Sequence, residues 1–306
     1  MPPPEPVVAA VDIGGTRIKA SLVDRALGVR AETTTPTPAG LGTGLGPAVA
    51  AVVADLVTRV PVGPAVEVVG CGVVVPGIVD EARGIGVRSV NLGWSDLDIR
   101  SVLAAQLGMP VAVGHDVRAG LLAEARLGAA VGERDVAFVP LGTGIAAALL
   151  LDGRVVHGAG YAGELGHVVI DPDGPVCPCG QRGCLELLAS ASAVERRYAA
   201  AAGTRHTARE VAALAAAGDP QASTVWREAV RALGAALTIV VTLTGVRTIV
   251  VGGGLAQSGE QLLAPLRADL AARFTFQRMP RVVGAALGDR AGALGAACLA
   301  WAALDA

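Results

Sequence analysis

Residues 7–23 read V-V-A-A-V-D-I-G-G-T-R-I-K-A-S-L-V and place a tight glycine turn between two apolar runs. The first run, 7–13, is nearly continuous, as expected for a strand that is buried on both faces. Apolar residues then alternate along 17–23, which is typical of a half-buried strand. The segment therefore predicts a strand, a tight turn and a second strand.

The same pattern recurs later in the chain. An apolar run at 136–141 is followed by the turn Gly142-Thr143-Gly144 and by a predicted strand at 145–151. A third such strand, 248–251, ends at Gly252-Gly253-Gly254. Helices are expected between these strands, at 47–60, 101–107, 117–127, 191–202, 209–217, 222–241, 261–273 and 292–304. Two strand–glycine–strand units among helices predict a duplicated chain of the α/β class.

A short strand at 111–113 ends at Gly114-His115-Asp116, and the main domain boundary is expected there. We predict a small α/β domain over 1–115, completed by a C-terminal helix at 290–306. We predict a large α/β domain over 116–289, which contains most of the cysteines.

Three of the five cysteines lie in residues 176–186, V-C-P-C-G-Q-R-G-C-L-E, and a histidine precedes them. Together they form one Cys₃His ligand set for a tetrahedral zinc: His167, Cys177, Cys179 and Cys184. The alternative is a disulfide or a buried thiol cluster, but a C-x-C pair is strained as a disulfide. Four protein ligands leave no open position for chemistry, so the zinc is expected to be structural. It would hold Glu164 and Glu186, which flank the ligands, in fixed positions.

Composition excludes several classes of function. The formal net charge is −2, aromatic residues make up 3%, and no basic block is present, so a nucleic-acid partner is not expected. The apolar span 232–246 lies between Arg231 and Arg247 and is shorter than the roughly 20 residues that cross a bilayer. The N-terminus lacks the features of a signal peptide. We therefore expect a cytoplasmic protein without a membrane segment.

The glycine turns are not a Walker loop or a Rossmann fingerprint, because no helix follows the first one. Taken alone, a tight hairpin would explain that turn. Taken with the cysteine segment, the chain resembles the ROK family of sugar kinases and sugar-sensing repressors, over about residues 7–301. The resemblance implies the two-domain actin-like (ribonuclease H-like) ATPase fold. It also implies that Asp12 lies near a magnesium ion and that ATP contacts Asp12, Gly14, Gly15, Thr16, Gly142, Thr143, Gly144, Gly253 and Gly254.

The resemblance also implies a sugar site. Its residues would be Gly77, Asn91, His115, Asp116, Glu164, His167 and Glu186. Asp116 would be the catalytic base that takes the proton of the attacking hydroxyl; the alternative is that it only caps the helix that follows. His115 departs from the family, which usually has asparagine there. It is either a neutral substitute or a sign of a changed substrate.

These residues predict an ATP-dependent kinase that phosphorylates a hexose at its primary hydroxyl, with glucose as the leading substrate. Mannose, N-acetylhexosamines and C7-cyclitols are alternative substrates, and polyphosphate is an alternative donor. A non-catalytic repressor is the second class. It would carry a helix-turn-helix before the first strand, which here begins near Val7. The expected cofactors are a structural zinc and magnesium with ATP, and the resemblance implies a homo-oligomer, a dimer or tetramer.

Overall fold

The structure, a computed structural model, describes residues 3–60 and 65–306. The chain forms two compact units. The first consists of Met1–Ala123, His157–Tyr161 and Asp289–Ala306, and the second of Glu124–Val156 and Ala162–Gly288. The domain limits expected above, 1–115 with 290–306 and 116–289, stay a prediction.

A five-stranded sheet forms the centre of the first unit. Its strands are β1 (Glu5–Ile13), β2 (Arg17–Asp24), β3 (Val29–Pro36), β4 (Val66–Val75) and β8 (Val111–His115), in the order β3-β2-β1-β4-β8. β1 to β3 pair antiparallel, whereas β4 and β8 run parallel to β1. A small antiparallel sheet follows β4 and comprises β5 (Ile78–Asp80), β6 (Ile85–Ser89) and β7 (Trp94–Asp98).

Helices cover both faces of the five-stranded sheet. They are α1 (Leu41–Thr58), α2 (Ile99–Leu107), α3 (Asp116–Leu127) and α10 (Ala291–Leu304). Val7 and Val11 of β1 share a core with α1 and α2, whereas Val8 and Ala10 share one with α10. Both faces of β1 are thus buried in an apolar core, which explains the nearly continuous apolar run in the sequence.

Within the described residues, α1 is the one helix that is long and apolar enough to cross a membrane by length and composition. It packs on the sheet through buried side chains that include Leu41, Leu45, Val49 and Leu56. Core packing therefore accounts for its apolar composition. Burial of Leu41 and Leu45 also explains why the helix begins earlier than the expected 47–60.

The second unit repeats the strand plan of the first. Its strands are β9 (Val136–Pro140), β10 (Ala148–Leu151), β11 (Arg154–Val155), β12 (Thr248–Gly252) and β13 (Arg281–Gly284), in the order β11-β10-β9-β12-β13. Three antiparallel strands are again followed by two that run parallel to the central one. Its helices are α4 (Leu185–Ala189), α5 (Ala191–Ala202), α6 (Ala208–Ala216), α7 (Pro220–Thr244), α8 (Gly253–Ala256) and α9 (Glu260–Arg273).

The repeated plan confirms the α/β class and the duplication. The strand expected at 145–151 is shorter, because two of its backbone N–H groups bond elsewhere. Ile145 N–H donates to the carboxylate of Glu186 and Ala147 N–H donates to the carbonyl of Gly163. β10 therefore begins at Ala148.

Candidate functional site

The first glycine turn closes the β1–β2 hairpin of the first unit. Gly14 N–H donates to the carbonyl of Arg17 (2.9 Å), and the Thr37 hydroxyl donates to the carbonyl of Gly14 (2.7 Å). Gly15 and Thr16 are exposed in this turn. A Cβ placed on Gly15 would lie 3.6 Å from the Cβ of Asn91. The structure thus brings a predicted phosphate turn beside a predicted sugar ligand.

Asp12 lies just before this turn, on β1. Its pKa is raised to about 6, mainly by burial; the positive charge of Lys19 lowers it and the negative charge of Asp289 adds to the rise. A Cβ on Gly292, at the start of α10, would lie 2.4 Å from the Asp12 carboxylate, so glycine is needed there. A carboxylate held with so little hydration is suited to a cation, which would restore its ionised form.

Gly77 and Asn91 lie on the small sheet. Gly77 has a φ of 107°, and a Cβ on it would lie 2.3 Å from the carbonyl oxygen of Arg88, so this loop requires glycine. Asn91 is exposed in the turn between β6 and β7. Trp94 is 7% exposed and belongs to the core of the first unit, which gives it a packing role.

His115 and Asp116 occupy the end of β8 and the first residue of α3. Val117 N–H donates to Asp116 Oδ1 (2.7 Å) and lies 3.3 Å from His115 Nδ1. The Asp116 side chain is 31% exposed, whereas that of His115 is 8% exposed. Burial and the positive charge of Arg118 lower the pKa of His115 to about 3. His115 is therefore neutral near pH 7. A neutral imidazole carries a single N–H donor.

In the second unit, the other two glycine segments lie together. Gly142 N–H donates to the carbonyl of Gly144 (3.0 Å) and closes the turn, while Leu141 N–H donates to the carbonyl of Gly252 (2.8 Å). Gly253 has a φ of 78°, and a Cβ on it would lie 2.5 Å from the carbonyl oxygen of Leu141. Segments far apart in sequence, Gly142–Gly144 and Gly253–Gly254, thus meet where β9 and β12 end.

Glu186 joins the same turn. Its Oε2 accepts the N–H of Ile145 (3.0 Å) and lies 2.5 Å from the position of a Cβ on Gly144. The Ser192 hydroxyl donates to the carbonyl of Thr143 (2.6 Å), so α5 supports the turn as well. A residue predicted to bind sugar therefore contacts a segment predicted to bind phosphate.

The four predicted metal ligands form one cluster. Their ligand atoms all lie within 4.8 Å of one another. Cys179 Sγ and Cys184 Sγ are 3.6 Å apart, and Cys177 Sγ is 3.8 Å from His167 Nδ1. Sulfur atoms on a tetrahedral zinc with Zn–S bonds of 2.3 Å lie about 3.8 Å apart. The donor set and its spacing thus fit a structural zinc.

The zinc cluster also organises the residues around it. Cys184 immediately precedes α4, which carries Glu186. Leu185 N–H donates to the carbonyl of Val168 (2.9 Å), which links α4 to the segment that follows His167. His167 directs Nδ1 toward Cys177, which leaves Nε2 for another partner. Glu164 is exposed just before the 3₁₀ turn Leu165–His167.

Three charged residues near these sites make contacts that the sequence did not predict: Glu81, Arg118 and Glu124. Arg118 is 2% exposed and pairs with Glu81, next to His115. Glu124 is fully buried and accepts the N–H groups of Ala129 and Leu287. A charge on the apolar face of a predicted helix is the signal that could have revealed Arg118.

Comparison with known proteins identifies the family of this chain. The model of the ROK family matches residues 8–303. A glucokinase of Streptomyces coelicolor is 32% identical over 95% of this chain and 96% of its own length. The crystal structure of a ROK hexokinase from Thermus thermophilus is 34% identical, with a TM-score of 0.82 over 98% of this chain and 99% of its own. The actin-like ATPase fold expected from the resemblance is confirmed by these structures.

Other relatives span several activities. The structure of a ROK family glucokinase from Streptomyces griseus in complex with glucose and AMPPNP is 30% identical, with a TM-score of 0.83 over 97% of this chain and 99% of its own. An N-acetylmannosamine kinase of Citrobacter koseri is 33% identical over 95% of this chain and 97% of its own. The xylose repressor of Bacillus subtilis matches 45% of this chain, at 35% identity, and 36% of its own length. Kinases thus match nearly the full chain.

The zinc cluster generates a direct test. Cys179→Ser removes one of four ligands from an exposed position, so we expect metal loss while the core stays packed. Mass spectrometry of the native protein should show one zinc in the parent and none in the variant. Cys298→Ala, which alters a buried cysteine outside the cluster, is the matched control and should retain the metal. Equal zinc content in all three proteins would contradict the assignment.

Asp12 should destabilise the fold at neutral pH. Its pKa is raised from 3.8 to about 6 on folding, so the folded state holds a proton that the unfolded state releases between these values. Stability is therefore lost as the pH rises through this window. A shift of about two units corresponds to about 3 kcal/mol. We expect Asp12→Asn to raise the free energy of unfolding by about that much at pH 7, and by less than about 1 kcal/mol at pH 4.

Urea unfolding in magnesium-free buffer measures this difference. Glu67→Gln is the control, because this exposed carboxylate of β4 does not act on the pKa of Asp12 and should change stability little at either pH. A gain for Asp12→Asn that is equal at pH 4 and pH 7 would show that burial of the charge is not the cause.

Proposed function

This chain belongs to the ROK family and is an ATP-dependent sugar kinase, and we propose that it phosphorylates glucose at the primary hydroxyl to give glucose 6-phosphate. The observation that carries the proposal is the placement of Asp116 at the end of β8, with its side chain partly exposed. A carboxylate at that point can accept a proton from a hydroxyl group. Similarity to glucokinases over nearly the full chain supports glucose as the acceptor.

Asp116 would act as the general base. Phosphoryl transfer asks a protein mainly for positioning and charge neutralisation, together with a carboxylate near the attacking oxygen. Asp116 would take the hydroxyl proton as the bond to the γ-phosphorus forms, and the leaving group would be ADP. Its contact with Val117 N–H holds one carboxylate oxygen and thereby orients the other.

The nucleotide would be held by the glycine turns. Backbone N–H groups at Gly14–Thr16 and at Gly142–Gly144 can donate to phosphate oxygens. Asp12 would hold the magnesium that accompanies ATP, and the metal would supply charge neutralisation of the phosphates. Gly253 and Gly254 would line the adenosine.

The remaining sugar contacts are proposed for Gly77, Asn91 and His115, and for Glu164, His167 and Glu186, each of which would bind hydroxyl groups. Each of these carboxylates can accept two O–H groups, which suits adjacent hydroxyls of a sugar. The zinc cluster would fix His167 and Glu186 and take no part in the chemistry. A homo-oligomer, a dimer or tetramer, is carried over from the family resemblance, and a cytoplasmic location is likewise part of the proposal.

An N-acetylhexosamine is the second candidate acceptor, favoured by the full-length match to an N-acetylmannosamine kinase. A screen of glucose, mannose, N-acetylmannosamine and a C7-cyclitol, each with magnesium-ATP or polyphosphate, decides among them. We expect the highest kcat/KM for glucose with ATP. A tenfold or greater preference for another acceptor would overturn glucose and leave the kinase assignment standing.

Asp116→Asn tests the proposed role of Asp116 as the general base. Asparagine keeps the size and still caps α3, so folding should be nearly unchanged, but it cannot accept the proton. We expect kcat to fall by about 10² to 10⁴, the usual contribution of general-base catalysis. Glucose affinity, measured by calorimetry, should stay within about tenfold of the parent. A kcat within a few-fold of the parent would reduce Asp116 to a helix cap.

His115→Asn tests why this chain has histidine where the family usually has asparagine. Because His115 is neutral and presents one N–H donor, asparagine can replace that donor and adds an acceptor. We expect the variant to keep its preference for glucose and at least half of the parent's kcat/KM, as measured in the same screen. A preference that shifts toward glucose only in the variant would show that histidine was selected for another acceptor.

A further inference from the structure

The first unit buries an ion pair that the proposed mechanism does not use. Arg118 lies on α3, two residues after Asp116, and is 2% exposed. Its Nε lies 2.5 Å from Oε1 of Glu81, whose side chain is 14% exposed. Glu81 directly follows β5. The pair therefore connects the start of α3 to the small sheet.

The same carboxylate also holds the backbone next to the proposed base. Oε1 of Glu81 accepts the N–H of His115 at 3.2 Å. One oxygen atom thus contacts both the residue before Asp116 and the residue two positions after it. Glu81 thus holds the chain on both sides of Asp116, at the backbone of His115 and at the side chain of Arg118.

Arg118 is itself oriented by two further acceptors. Its terminal nitrogens lie 3.4 Å from the carbonyl oxygen of Val79 and 3.5 Å from that of Gly160. Gly160 has a φ of 93°, and a Cβ on it would lie 2.6 Å from the Val79 oxygen. The two carbonyls therefore sit close together and converge on one guanidinium group. Arginine matches this arrangement because its donors form a planar fork.

Such a pair is a poor means of stabilising a fold. Removing two charges from water costs several kcal/mol per ion, and apolar residues of similar volume are often equal or better for stability. What the pair supplies is a fixed geometry. Catalytic side chains need support of this kind, since a displacement of about 1 Å can reduce a rate by about 100-fold.

We propose that Arg118 and Glu81 form a positioning pair, which holds the backbone of His115 and Asp116 so that the Asp116 carboxylate meets the attacking hydroxyl. This inference rests on the proposed role of Asp116 as the base. Neither residue of the pair is assigned a contact with the substrate. The alternative is a purely structural pair, whose removal would alter stability without altering turnover.

The decisive variant removes both charges at once. Glu81→Leu combined with Arg118→Met leaves no uncompensated buried charge, so the fold should be retained. We expect kcat to fall by about 10- to 100-fold, while the glucose dissociation constant stays within about threefold. Hydrogen–deuterium exchange of peptides that contain His115 to Arg118 should become faster, because the acceptor of the His115 N–H is gone.

Arg100→Met is the matched control. Arg100 holds the same loop through the carbonyls of Glu81 (2.8 Å) and Ala82 (2.9 Å), but it does not contact the carboxylate. Its kcat should stay within twofold of the parent, with unchanged exchange at His115 to Arg118. Arg118→Lys keeps the positive charge but lacks the planar fork of donors. Its kcat should lie between that of the parent and that of the double variant.

The outcomes separate this inference from the proposed function. A kcat within twofold of the parent in the double variant, or a lower kcat with unchanged exchange, overturns the positioning role. If the parent phosphorylates no sugar, the proposed function fails. Exchange then decides the pair: faster exchange at His115 to Arg118 in a folded double variant supports it, and unchanged exchange overturns it.

Discussion

The close approach of α10 to the sheet of the first unit is the constraint on which its site depends. A Cβ on Gly72 of β4 would lie 1.9 Å from the carbonyl oxygen of Ala296, and one on Gly295 would lie 2.1 Å from that of Ala119. Backbone therefore packs against backbone, where larger side chains would hold the elements apart. This contact sets the spacing of β4, α3 and α10. Because α3 begins at Asp116 and Gly292 of α10 borders Asp12, one packing interaction places both proposed carboxylates.

That packing makes the site costly to maintain. Burial raises the pKa of Asp12 and so opposes its ionisation, and burial lowers the pKa of His115 and so keeps it neutral. Arg118 is buried near His115 and pairs with the carboxylate of Glu81. Polar groups of this kind lower stability unless a ligand or a fixed geometry offsets the cost. In the second unit, a zinc ion held by the predicted ligands would stabilise the fold, since a metal bound only by the folded chain adds its binding free energy to folding.

The sequence was informative where one local pattern determines the structure. The strands around Gly14 and Gly142 follow from apolar runs broken by glycine, and the four ligands of the metal cluster follow from residue type and spacing. The limits of β10 did not follow, because Ile145 N–H is taken by Glu186, which lies far away in the chain. The pair between Glu81 and Arg118 was missed for the same reason. Glu81 resembles an ordinary surface charge in the sequence, and no local pattern reports that its partner, Arg118, lies 37 residues away.

The chain order of the first unit has a consequence for its synthesis. One face of β1, with Val8 and Ala10, is covered by Ala296, Ala297 and Trp301 of α10. β1 is thus made before the helix that covers it, and this unit is complete only after α10 has left the ribosome. The second unit lies between these ends and is finished earlier. Domains commonly fold in the order in which they are made, whereas here the first unit can close only after the residues of the second have been made.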